Sequence, residues 1–135
     1  MFLTTQMIAT NIAPLDIVLF PTPVGPIPTP FVNISVSSVS VPTVYNIFIW
    51  AMPCHNNLTV TEASLVAGPG PGIVSSAVFG ATRTIVSSFT MFYGGMPVNK
   101  MFGTTGQNGM PIFAIPFNSV GVQLSPSQVS VMCLS

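Results

Sequence analysis

Leu19-Phe20-Pro21-Thr22-Pro23-Val24-Gly25-Pro26-Ile27-Pro28-Thr29-Pro30-Phe31-Val32-Asn33 carries five prolines in fifteen residues. Each proline fixes φ near the extended value and removes a backbone donor, so the stretch forms neither a helix nor the centre of a sheet. It is an extended, stiff connection. Its spacers are Val24, Ile27, Phe31 and Val32, not the polar residues of a disordered proline-rich linker, and apolar spacers call for burial. The stretch therefore reads as an ordered strap laid across an apolar surface made by the neighbouring strands.

Both flanks read as β. Residues 11–18 give a turn and a short extended segment, in which Asp16 is a lone carboxylate that accepts backbone hydrogen bonds at the turn. Residues 33–41 alternate apolar and small polar side chains, the period of a half-buried strand, with a bulge or bend at Ser37-Ser38. Val44 to Met52 is β-branched and aromatic, hence a strand. Thr61 to Ala67 reads as one helical turn capped by Thr61, ended by Gly68-Pro69-Gly70-Pro71-Gly72. Residues 73–93 form a hairpin turning near Gly80 and Ala81, and residues 120–124 with 129–134 form another. Laying Met96-Pro97 over Met52-Pro53 sets Phe92 on Phe48, Tyr93 on Ile49, Val98 on Cys54 and Phe102 on Leu58. Met110-Pro111, leading into Ile112-Phe113-Ala114, is a third such pair, and together they read as a weak internal repeat. The expected whole is a single mostly β domain over residues 1–135, with little or no helix.

Only Asp16, Glu62, Arg83 and Lys100 are charged, 3% of the chain against about a quarter in ordinary domains, and the net charge is zero. Such a surface has little to keep copies apart, so the chain is expected to work while bound to something larger or in contact with an apolar environment. Two basic residues make no nucleic-acid footprint, and Arg83 and Lys100 read as solvated. No apolar run approaches the roughly twenty residues of a spanning helix, the prolines leave no room for a transmembrane barrel, and the first residues lack the basic start and apolar core of a secretory signal.

Chemistry is sparse. Cys54 stands beside His55, but adjacent residues on an extended segment face opposite ways, and no partner for a Cys-His pair is identifiable. No catalytic residue is assigned. His55, Cys54 and Cys133 with a methionine are the weak candidates for a soft metal site, outweighed by ligand shortage, since a structural zinc needs about four good donors. The plainer reading is a hydrogen-bonded His55 beside a buried, free Cys54. Gly68-Pro69-Gly70-Pro71-Gly72 lacks the lysine and the amides of a phosphate loop, and no small-molecule substrate is expected.

Taken together, Asn11 to Ile17 followed by Pro21 to Asn33 is similar to the amino-terminal P-x-P-x-G-P-x-P-x-P-(Y/F)-x-N segment of the PAAR-like proteins, the small spike-tip proteins of contractile phage tails and type VI secretion systems. Met52-Pro53-Cys54-His55-Asn56 resembles their M-P-A-H-N turn, Gly95 to Lys100 their proline-alanine-alanine-arginine turn with Asn99 and Lys100 at its end, and Ser125 to Val129 their closing P-S-Q strand. The resemblance implies a compact cone of short strands and proline-rich turns, one copy seated by a flat base on a trimeric central spike, touching the target outer membrane transiently. It implies a non-enzymatic tip of a virion tail baseplate, or of a secretion apparatus, made in the cytoplasm. Many such proteins hold an apical ion with three histidines and a cysteine; this chain has one histidine, so no ligands are assigned. The alternative is a self-assembling apolar coat or membrane-surface protein.

Overall fold

The structure, a computed structural model, describes residues 1–110 and 115–134. Its strands are β1 (Thr10–Thr22), β2 (Gly25–Val36), β3 (Ser40–Val41), β4 (Phe48–Ile49), β5 (Met52–Pro53), β6 (Val60–Thr61), β7 (Leu65–Val66), β8 (Ala81–Thr84), β9 (Phe92–Tyr93), β10 (Met96–Pro97), β11 (Thr104–Gly109) and β12 (Ser119–Gln123). Eight form one curled antiparallel sheet in the order β3-β6-β8-β11-β12-β1-β2-β7, and β4-β5 and β9-β10 are separate two-stranded hairpins. The only helical turn among the described residues is 3-10, Ser37–Val39, at the expected slip. The protein is mostly β.

The proline stretch is a β-ribbon, not a strap. β1 and β2 pair from Thr10↔Val36 to Thr22↔Gly25, with a bulge between Ala13 and Asp16. Prolines are tolerated because of their phase. Pro30 lies opposite Ile17, Pro28 opposite Leu19 and Pro26 opposite Pro21. The Leu19 N–H donates outward to the Pro71 carbonyl at 2.9 Å, and the Ile17 carbonyl accepts outward from the Ile73 N–H at 3.3 Å. These are therefore the non-hydrogen-bonded pairs, in which the missing proline N–H would have faced away from the partner strand. The spacers are not buried as expected: Val24, at the turn, is 96% exposed, Ile27 and Val32 are also exposed, and only Phe31 is covered, stacked on Phe20 at 6.1 Å.

The larger departure is in which side chains lie inside. Among the described residues ten apolar side chains are buried against twenty-six polar or charged ones, so Ser, Thr, Asn and Gln fill the interior instead of the surface. In β2 and beyond, Asn33, Ser35, Ser37 and Ser40 are buried while Ile34, Val39 and Val41 are exposed. In β12, Ser119 and Gln123 are buried and Val120 is exposed. The alternation holds with its phase reversed. Many of the buried groups satisfy one another, Ser40 and Thr61 hydroxyls at 2.7 Å, Asn11 on Ser35 at 3.1 Å, Thr4 on Gln123 at 2.8 Å, while Asn33 Oδ1, Thr82 Oγ1, Gln107 Oε1, Asn108 Nδ2 and Ser119 Oγ find no protein partner among the described residues.

Other expectations are corrected by local pairing. Val44 to Met52 is no continuous strand; it folds back as β4-β5 through Trp50 and Ala51, both at positive φ. Thr61 and Leu65–Val66 are strand, not helix, because each finds a sheet partner, β3 and β8 for one and β2 for the other. Residues 73–93 are not a hairpin, since β8 pairs with β6 and β11. Nor do residues 120–134 pair with each other: β12 lies between β11 and β1, and residues 131–133 bond to the chain's first residues. Asp16 is fully buried and takes its hydrogen bonds from side chains, Asn33 Nδ2 at 2.7 Å and Asn118 Nδ2. Of the third Met-Pro pair, Pro111 and the three residues after it lie outside the described residues.

Candidate functional site: a three-armed ring

The Met-Pro repeat is structural, and it has a third copy. In the first arm Phe48 pairs with Pro53 and Ile49 with Met52; in the second Phe92 pairs with Pro97 and Tyr93 with Met96. Trp50-Ala51 and Gly94-Gly95 turn these hairpins, all four at positive φ, as two-residue turns between twisted strands require. The third arm is made by the two ends of the chain: Met132 bridges Phe2, and Cys133 and Met1 exchange both backbone hydrogen bonds at 2.7 Å. In each arm the same further bond forms, Cys54 N–H to Ile47 O at 3.1 Å, Val98 to Met91 at 3.1 Å and Leu3 to Val131 at 3.2 Å.

The arms close on one another. His55 N–H donates to Thr4 O at 3.0 Å, Thr4 to Asn99 O at 2.9 Å and Asn99 to His55 O at 3.1 Å. A second cycle runs the opposite way, Asn57 to Pro97 O, Met101 to Phe2 O and Gln6 to Pro53 O, at 2.8 to 3.0 Å. These six bonds define a pseudo-threefold axis.

Equivalent positions share environments. Leu3, Cys54 and Val98 are all fully buried, and Leu3 and Val98 pack with Cys133 against Ile49, Met91, Tyr93 and Val131. Thr4, His55 and Asn99 all line a cavity of about 10 Å³, water-sized, with Thr61, Thr82 and Gln123 among its other walls. On the outside, Phe48, Phe92 and Met132 are 56%, 56% and 53% exposed, and Tyr45, Phe89 and Val129 are exposed likewise. No acidic residue stands among these six. Sequence reading found two arms; the third was hidden because it joins residues from opposite ends of the chain.

The predicted site residues are drawn into this ring. Burial lowers the His55 pKa to about 4, and its Nε2 meets Gln6 Oε1 at 2.8 Å, so the ring is neutral with Nε2 carrying the proton toward the amide oxygen. Burial raises the Cys54 thiol to about 11, and Cys133 Sγ lies 3.0 Å from Ser88 Oγ; no disulfide joins the two cysteines. Burial first, and then the neighbouring Cys54 and Cys133, raise the Tyr93 phenol. A metal does not fit these residues: one His nitrogen is committed to Gln6, Cys54 is fully buried at the position that Leu3 and Val98 fill in the other arms, and no group of three His, Cys, Asp or Glu occurs among the described residues. Lys100 is not solvated; it is 8% exposed, with Nζ 5.7 Å over the Phe89 ring. Arg83 is half-buried and donates from Nε to Asn57 O at 2.8 Å.

Fold and ring define a helix-poor β protein built on a pseudo-threefold axis. A family model described as the toxin PAAR-like domain matches residues 9–114, and the chain belongs to that family. Comparison with the curated proteins and with the solved structures gave no match.

Proposed function

We propose that this PAAR-like protein is the non-enzymatic tip of a contractile injection apparatus, a phage tail in the first instance, and that it caps a trimeric central spike on a shared axis. The observation that supports this reading is the pseudo-threefold ring with apolar side chains exposed at equivalent places on all three arms. A single chain meets three identical subunits equally only if it presents one surface three times, and apolar surface left in water by the free chain is what a permanent partner covers. The ribbon supports the piercing role: its turn, between Thr22 and Gly25, lies at the far end of β1 from the ring, and its prolines stiffen it. Transient contact with the target membrane belongs to that exposed, apolar turn.

Light scattering on the chain co-expressed with a trimeric spike protein tests this. One copy per trimer is the expected result. Homopolymers with no spike bound would replace it with the self-assembling coat, which the wide distribution of exposed apolar residues would also serve.

A further inference from the structure

Bordering the ring at Asn57, a cleft of about 180 Å³ is lined by Asn57, Arg83, Thr84, Ile85, Ile115 and Phe117. Arg83 is the only arginine of the chain, and among the described residues no acidic side chain lines the cleft. Its Nε is spent on the Asn57 carbonyl at 2.8 Å, which tethers the guanidinium at the cleft and leaves the donors of its two Nη groups for an anion. The apolar walls are Ile85 and Ile115, both exposed, and Phe117. A lone tethered cation beside apolar side chains is the arrangement of a ligand site with one polar anchor.

We infer that this cleft binds the carboxyl terminus of a partner polypeptide whose last residue is apolar. The space admits about one side chain, so one residue must bring both the charge and the apolar group. A terminal Leu- or Phe-like residue carries both on one Cα, whereas an internal acidic residue and its apolar neighbour point to opposite faces of an extended segment. This inference does not rest on the spike reading: the cleft shares Asn57 with the ring's hydrogen-bonded cycle, but none of the six exposed apolar side chains of the three arms lines it.

The probe is N-acetyl-leucine against its neutral counterpart N-acetyl-leucinamide, titrated into the full chain while the methyl signals of Ile85 and Ile115 are followed by NMR. The acid is expected to bind with a Kd of a few millimolar, roughly what a ligand of its size achieves, and about tenfold tighter than the amide. R83Q is expected to erase the difference and R83K to retain part of it. I115S, which leaves the guanidinium in place, is expected to weaken both compounds alike and so reads the apolar wall even if R83Q does not fold. Equal binding of acid and amide, no methyl response to either, or an acid preference that survives R83Q would each overturn the assignment.

Discussion

His55 shows what burial does to a single titratable side chain. Its pKa falls from 6.5 to about 4, so between those values the unfolded chain holds a proton that the folded chain refuses. Stability tied to this group is complete above pH 6.5 and is lost as the pH falls toward 4, at up to about 1.4 kcal/mol per pH unit. Urea midpoints of the native chain should therefore drop between pH 7 and pH 5. H55Q should be less stable at pH 7, through its altered bond to Gln6, yet show a flatter acid limb. An unchanged acid slope in H55Q would mean that other groups set it. The sequence offered His55 and Cys54 as neighbours; it could not say that one faces a polar cavity while the other is buried where Leu3 and Val98 stand in the other arms.

At the level of elements, the arms and the ribbon each make a measurable statement. Gly95 has φ +78°, and an added Cβ would meet nothing within 4 Å, so G95A tests conformation alone. It should cost about 1 kcal/mol, and A51G at the equivalent turn, φ 59°, should recover a similar amount. Chemical denaturation of both variants checks the pairing of the two arms as repeats. On the ribbon, Pro28 would present its missing N–H to the outer edge of β2, beyond the short stretch that β7 covers. P28V restores that donor on a free edge. The variant should remain folded but associate, seen as concentration-dependent mass in light scattering, because proline is what keeps that edge from pairing with another copy.

For the whole molecule, the pseudo-threefold axis and the reversed interior belong together. A chain with four charged residues keeps its apolar side chains outside at a real cost in water, and the three equivalent arms concentrate part of that exposure where a symmetric partner covers it. F48S, F92S and M132S should each leave the free chain's melting temperature nearly unchanged, since all three residues are more than half exposed. Each should weaken spike binding by a similar factor, roughly tenfold for a well-covered apolar anchor, measured by competition against the native chain. A loss confined to one arm would show that the partner does not engage the axis.

The sequence by itself determined the β character, the extended proline stretch, the break at 68–72 and two of the three arms, because proline geometry, β-branched runs and the Met-Pro spacing are local properties. Period-two alternation, read over residues 33–41 and 120–124, also came through for most of the first run and in β12, Ser119–Gln123. Only the tertiary structure decided which face of that alternation is inside. A pattern of Ser and Val fixes the two faces but not their destination, and here networks of buried hydroxyls and amides let the polar face win. It alone made the third arm, since residues 131–133 and 1–3 meet only when the chain has closed on itself. It alone turned a proline strap into a ribbon whose strands keep Pro21, Pro26, Pro28 and Pro30 at a phase that costs the pair no hydrogen bond.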